Sequence, residues 1–357
     1  MSQRISRNIL RRALIAITVA ITSIAVIATT TSLSAQAAAH GRFGFAGDGS
    51  PNDPNIKYIG RWDTSSSTVH TSYWVATYFK TIFIGRTVKI KLAASVNFYA
   101  SIDGGDDQYY PAASGTIDLT PTPLRPGIHT LRVAARAEHD TIQFQGLVLD
   151  PGAFTLPAIT SPKHIEFIGD SVTAGATDTK ASLSDYAWLV GEQLHVEHTQ
   201  IAQGGICLVD QVQCGVPTPT GMSSQYFKMK TVYFPNSPNW DFSRYRANVV
   251  VINLGTNDSG YHVTDATFQA TYITFLQNIR AKYPHAAIFA LRPFKGSKAA
   301  ATQAAVAAVN AAGDHNVRYI DTTGWLSPSD YNSGPHPSDE GQMKVANLLA
   351  PILAPYV

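Results

Sequence analysis

The stretch His164-Ile165-Glu166-Phe167-Ile168-Gly169-Asp170-Ser171-Val172-Thr173-Ala174-Gly175 decides the fold of the second half of this 357-residue chain. Its first five residues read as an apolar strand, and Gly169–Gly175 as a loop at that strand's carboxyl end, leading into a helix. The same alternation continues downstream. Tyr186–Leu194 reads as a helix, and Val249–Leu254 (VVVINL) as an uninterrupted apolar strand of the kind buried in a parallel sheet. Phe268–Tyr283 repeats apolar residues at helical spacing, with Phe268, Tyr272, Phe275, Leu276 and Ile279 on one face. Ala287–Leu291 is a strand, Lys298–Ala312 an alanine-rich helix, Val317–Ile320 a last strand and Gln342–Leu353 a closing helix. Elements alternating in this way predict an α/β domain over 160–357, a parallel sheet flanked by helices.

Upstream the periodicity changes. From 40 to 152, short runs rich in Val, Ile, Tyr, Phe and Thr alternate in period two, as in Thr87-Val88-Lys89-Ile90-Lys91-Leu92. Tyr73–Phe79, Val96–Ile102, His129–Val133 and Thr141–Leu149 are similar, and turn clusters at 102–107 and 121–127 separate them. This pattern predicts an all-β N-terminal domain, a β-sandwich or jelly-roll. Pro151–Pro162, with three prolines and no periodicity, reads as the linker.

The N-terminus reads as an export signal. Arg4, Arg7, Arg11 and Arg12 precede an apolar run from Ala13 to Ala28, and Ala35-Gln36-Ala37 is a small-x-small cleavage site. The run is shorter than the roughly 20 residues of a membrane span, so a cleaved signal over 1–37 is expected, the alternative being an uncleaved anchor. Arg11-Arg12 fits a twin-arginine signal poorly. The signal also distorts the charge: without it the formal +2 becomes 23 basic against 25 acidic residues. A near-neutral secreted chain has no basic field for a phosphate backbone, which argues against a nucleic-acid partner. No membrane contact is expected after cleavage. The only cysteines, Cys207 and Cys214, would be free thiols in a cytosolic enzyme; in an exported chain they are expected to form a disulfide.

Parallel sheets place their sites in loops at the strands' carboxyl ends. Three such loops carry unusual residues: Gly169–Gly175 with Ser171, Gly255-Thr256-Asn257-Asp258, and Ser333-Gly334-Pro335-His336-Pro337-Ser338 before the last helix. Each alone has an ordinary explanation, as a helix N-cap serine, a self-bonded turn and a surface histidine. Together they resemble the SGNH (GDSL-type) hydrolases, whose four blocks match Gly169-Asp170-Ser171, Gly205, Gly255-Thr256-Asn257-Asp258 and His336 in order. The resemblance covers about 160–357 and implies a three-layer, flavodoxin-like domain. Gly204 and Gly205 both compete for the second block; Gly205 is chosen by aligning the chain with the family's Ser-Gly pattern. The α/β-hydrolase elbow Gly-x-Ser-x-Gly is absent, since Thr173 stands at its second Gly. The N-terminal region narrows the resemblance to the carbohydrate esterase family 2 arrangement, through Gly60-Arg61, Trp74 and Ile102-Asp103-Gly104.

The resemblance implies a serine esterase acting on acyl, foremost acetyl, esters of carbohydrate. Ser171 would be the nucleophile and His336 its base. The backbone N–H groups of Ser171 and Gly205 and the Asn257 side chain would form the oxyanion hole. Asp170 is expected to order its loop. Asn257-Asp258-Ser259 matches a glycosylation sequon, but a glycan there would block that hole. The family normally carries Asp three residues before the His. Here that position is Ser333, so a Ser171–His336 dyad is expected, with the His held by a backbone carbonyl; Asp330 is the competing candidate acid. The expected partner is an acetylated polysaccharide or oligosaccharide. A lipid or short-chain esterase is the alternative within enzymes, and a non-catalytic carbohydrate-binding protein the alternative outside them. His195 and His198, three apart, lack a third ligand in pattern, so no metal is expected. No P-loop or dinucleotide fingerprint is present, so no cofactor is implied.

Overall fold

The computed structural model describes residues 46–357; the expected signal, 1–37, lies outside them. The first region is antiparallel. Its strands are β1 (Lys57–Asp63), β2 (His70–Gly85), β3 (Val88–Ile102), β4 (Gln108–Asp118), β5 (Gly127–Ala135), β6 (Gln143–Leu149) and the short β7 (Thr155–Leu156). The expected sandwich takes the form of one sheet wrapped on itself. β2 pairs with β5, β5 with β3, β3 with β6, and β6 again with β2. The runs 87–92 and 96–102, separate in the sequence reading, belong to the single strand β3. Register shifts between Leu92, Val96 and Phe98 let that strand turn from one layer to the other. Phe79, Phe83, Phe98, Val133 and Phe144 fill the space inside and are wholly buried.

The second region is the expected parallel α/β layer structure. Its strands β8 (His164–Gly169), β9 (Glu197–Ala202), β10 (Val249–Asn253), β11 (Ala287–Leu291) and β12 (Val317–Ile320) run in the order β12-β11-β10-β8-β9. All four pairings are parallel, and this is the flavodoxin-like order. Alternation along β10 sends Val249 and Val251 to one face and Val250 and Ile252 to the other. Helices α1 (Tyr186–Leu194) and α6 (Asp339–Leu353) cover the first face, and α4 (Asp265–Lys282) and α5 (Ala299–Ala311) the second. Short helices α2 (Met222–Gln225) and α3 (Thr256–Gly260) and the hairpin β13 (Tyr331–Ser333) and β14 (His336–Pro337) complete the chain. Strand order reverses between β8 and β10, and the crevice at their carboxyl ends is where such sheets bind ligands.

The two regions are bonded along β2 and β9. Tyr78 donates to Glu197 at 2.6 Å, and Lys80 Nζ lies 3.0 Å from both Glu197 oxygens. Arg61 is completely buried, donates to the Tyr226 and Lys228 carbonyls, and is ringed by Trp74, Tyr226, Trp240 and Phe242 at 5.1–5.6 Å. A buried guanidinium is tolerable only with acceptors and aromatic faces of this kind. Trp74 Nε1 donates to the Met229 carbonyl at 2.9 Å. Arg61 and Trp74, two of the residues behind the family 2 resemblance, thus form the joint between the regions.

Candidate active site

Ser171 leaves the end of β8 on a turn, not a helix. Asp170 Oδ1 accepts from the Val172 N–H at 3.0 Å, the Asp170 carbonyl accepts from Thr173 and Ala174, and Gly175 at φ +64° ends the curl. A Cβ at Gly175 would lie 2.4 Å from the Ala181 carbonyl oxygen, so the loop folds only around glycine here. The next α-helix begins at Tyr186, fifteen positions on and after a 3-10 turn at Ala181–Leu183, which corrects the expectation that the serine enters a helix directly. Asp170 is buried, and burial, with the charge of Asp258 adding to it, raises its carboxyl to about 7.

His336 comes to Ser171 from the other end of the chain, on the β13–β14 hairpin. Its Nε2 lies 2.8 Å from Ser171 Oγ. Across the hairpin it pairs with Ser333, whose backbone favours the protonated ring. An Nδ1–H given to the Ser333 carbonyl leaves Nε2 unprotonated and able to accept from the serine. Burial holds the imidazole below its usual 6.5, and the Ser333 bond opposes that shift. The hairpin is tied to the serine loop through Asn332, whose Nδ2 donates to the Thr177 carbonyl at 3.0 Å.

Asp330, the competing acid, is engaged elsewhere. Its Oδ2 accepts from the Ser327 N–H and hydroxyl, each at 2.7 Å, closing a capping box on its own 3-10 turn. Lys344 Nζ sits 2.8 and 3.0 Å from its two oxygens. The Lys344 and Ser327 hydrogen bonds hold its carboxyl down at about 2. It makes no hydrogen bond to His336, because the backbone that would have to fold back is instead committed to the hairpin.

The loop after β9 carries Gly204 and Gly205. Gly205 has φ +76°, and its carbonyl accepts from the Gly215 N–H at 2.9 Å. A Cβ there would lie 2.5 Å from the Gly215 carbonyl oxygen. Cys207 and Cys214 form a disulfide, which brings Gly215 back against Gly205. Asn257 Nδ2 donates to the Ile206 carbonyl at 2.9 Å, leaving its second amide hydrogen for a ligand. Asp258 is fully buried and accepts from the Leu208 and Val209 N–H groups at 2.9 and 3.1 Å. Among the described residues, the Ser171 and Gly205 N–H groups donate to no protein acceptor. Ser171, Gly205 and Asn257 therefore present unspent donors at the ends of β8, β9 and β10.

Two positioning residues were not singled out in the sequence. Asp258 follows Asn257 in the third block but works on the second. Gln342 on α6 accepts from the Tyr186 N–H and donates to the Val172 carbonyl and Asp178, so it binds the closing helix to the serine loop. A glutamine among the apolar positions Val345, Ala346 and Leu349 of the helix's buried face is the signal that could have revealed it. His195 ends α1 in a left-handed conformation, whereas His198 is buried in β9 with its ring edge-on to Trp188 at 4.7 Å.

Comparison with known proteins adds the following. Residues 167–344 match the GDSL-like lipase/acylhydrolase family, and residues 58–158 match the carbohydrate esterase 2 N-terminal domain. The cellulase/esterase CelE of Acetivibrio thermocellus is 31% identical over 257 residues, 67% of this chain and 31% of the length of that larger protein. An acetylxylan esterase/glucomannan deacetylase of Cellvibrio japonicus is 26% identical over 312 residues, 78% of this chain and 84% of the relative. The solved structure of a family two carbohydrate esterase from Clostridium thermocellum in complex with cellohexaose superposes with a TM-score of 0.72 at 27% identity, covering 84% of this chain and 98% of that one.

Proposed function

Because the chain belongs to the SGNH (GDSL-type) lipase/acylhydrolases and is a carboxylic ester hydrolase, we propose that it is a secreted serine esterase removing acyl groups, acetyl foremost, from polysaccharide. The observation that carries this reading is the 2.8 Å contact of His336 Nε2 with Ser171 Oγ beside three unspent hydrogen-bond donors. The names of the Cellvibrio japonicus relative and of the cellohexaose complex support a carbohydrate as the alcohol part of the ester.

In this reading Ser171 Oγ attacks the ester carbonyl while His336 Nε2 takes its proton. The carbonyl oxygen becomes an oxyanion held by the Ser171 and Gly205 N–H groups and the Asn257 amide, donors already fixed before reaction. The imidazolium then protonates the sugar's ester oxygen as its bond to the acyl carbon breaks, releasing the free hydroxyl and leaving an acyl-serine. A water deprotonated by His336 attacks that ester through the same oxyanion, and on collapse the imidazolium returns its proton to Ser171 Oγ while the acid leaves and ionises to the carboxylate. The Ser333 carbonyl fixes the imidazole's tautomer and direction; as a dipole it stabilises the imidazolium less than a carboxylate would. The test is acetate release from a panel of acetylated polysaccharides by the exported protein. Release from at least one is expected; none from any, with no turnover of 4-nitrophenyl acetate, would overturn the proposal.

A further inference from the structure

We propose that Glu138, supplied by the all-β region, is a positioning residue for the oxyanion loop: its carboxylate captures the Gly204 N–H and so commits the neighbouring Gly205 N–H to the ester oxygen. The inference rests on the esterase reading above and deepens it. Glu138 Oε2 accepts from the Gly204 N–H at 2.5 Å, across 66 positions of sequence. A Cβ on Gly204 would stand 3.0 Å from both carboxylate oxygens, so a side chain there would crowd the Glu138 carboxylate. Two consecutive glycines make this the most rotatable peptide of the site. If the Gly204–Gly205 peptide turned over, the Gly204 carbonyl would face the oxyanion where the Gly205 N–H should be. The Gly204 N–H held on one side and the Gly205 carbonyl held by Gly215 on the other fix the two peptides that flank it, and so the positions of the α-carbons from which the Gly205 N–H is aimed.

The loop that carries Glu138 is itself fixed. Asp140 Oδ1 accepts from the Asn97 N–H at 3.1 Å and from its side-chain Nδ2 at 2.8 Å. The Arg136 N–H donates to the Asn97 carbonyl at 3.3 Å, and the Arg136 carbonyl accepts from the N–H and hydroxyl of the buried Ser182 in the α/β region. The segment is thus pinned to both regions on either side of Glu138, and His139 Nε2 lies 3.4 Å from its other oxygen. What Glu138 gives the loop is an acceptor, and the Gly204 N–H is the donor that meets it. The all-β region therefore contributes to the chemistry through one acceptor atom.

Glu138→Ala should lower kcat about 10- to 100-fold per active site, less than the roughly 10²–10³ of losing a donor outright, with KM moved less than about threefold. Active sites are counted by phosphonate titration, so a merely misfolded fraction does not register as lost kcat. Glu138→Gln, whose carboxamide oxygen still accepts, should return kcat to within about threefold of the unaltered protein. Should Glu138→Ala fail to fold by circular dichroism, Glu138→Asp, which withdraws the oxygens by one methylene, takes its place with the same loss expected. Unchanged kcat in the alanine or aspartate variant overturns the proposal. So does a glutamine variant as slow as alanine, because an acceptor would then not be what matters. An unaltered protein without ester turnover removes the esterase reading itself, and this proposal with it.

Discussion

The Ser171–His336 pair and the oxyanion loop stand side by side, yet they are held in different ways. The pair depends on the α/β region's own architecture: a strand-end turn curled by Asp170 and Gly175, and a hairpin that pairs His336 with Ser333 and is tied to the serine loop through Asn332. The loop at Gly204–Gly205 is held from several directions at once. A disulfide, the Asp258 carboxylate and Glu138 from the all-β region all converge on it. In the proposed mechanism the Ser171–His336 pair is placed by elements of the α/β region alone, whereas the Gly205 donor is placed by contacts from both regions, because its direction must be fixed in advance of the reaction.

The largest effect is expected on the locally held side. Ser171→Ala should abolish acyl-ester turnover while moving the melting temperature by no more than about 2 °C, because the hydroxyl's hydrogen bond is to His336 and replaces little packing. Turnover within tenfold of the unaltered protein, roughly, would remove the nucleophile assignment. On the distributed side, Asn257→Ala should cost about 10²–10³ in kcat, as loss of one oxyanion donor does, with little change in KM. A variant that raises KM alone would show that the amide binds substrate uniformly and lies outside the hole.

A smaller effect tests whether distribution itself matters. The Cys207→Ser, Cys214→Ser double variant should lose on the order of 2–3 kcal/mol of stability, since the closed loop is short. Its kcat should fall only about tenfold, because Asp258 and Glu138 still hold the loop. Loss as large as that of Asn257→Ala, measured on folded protein, would show that the disulfide alone sets the geometry.

The same contrast explains what the sequence revealed. Ser171, Asn257 and His336 lie in compact motifs at strand ends, so residue type and order pointed to them. The parallel strands β10 and β11 were legible as unbroken apolar runs, and β8 and β12 as short apolar runs interrupted by one charged residue each, Glu166 and Arg318. Strand β9 was not, because Glu197, His198, Thr199 and Gln200 are buried polar residues whose partners come from elsewhere in the fold: Tyr78 and Lys80, Glu192, Glu166, and Asp185. Strand β4 lacked any alternation to read, being exposed along nearly its whole length. Glu138 had no local signal at all. Its meaning exists only once the loops that follow β5 and β9 are brought together.

The pH profile sharpens the account of the pair. His336 must be neutral to take the serine proton, and burial holds it below 6.5 in the folded protein. Activity should therefore be complete near neutrality and fall as pH drops through that lowered value, so the acid limb of kcat/KM has its midpoint below 6.5. A midpoint above 6.5 would indicate a negative charge behind the imidazole, which a carbonyl does not supply.

The central claim is that Ser171 is activated by a histidine oriented without a carboxylate. It is tested most directly by the rate of covalent labelling with an active-site phosphonate in the unaltered protein, Asp330→Asn and His336→Ala, with the labelled residue identified by peptide mass. Labelling of Ser171 is predicted at the same rate, within about threefold, in the unaltered protein and Asp330→Asn, and to be lost in His336→Ala. Asp330→Asn falling by orders of magnitude together with His336→Ala, or a label on any residue other than Ser171, would contradict it.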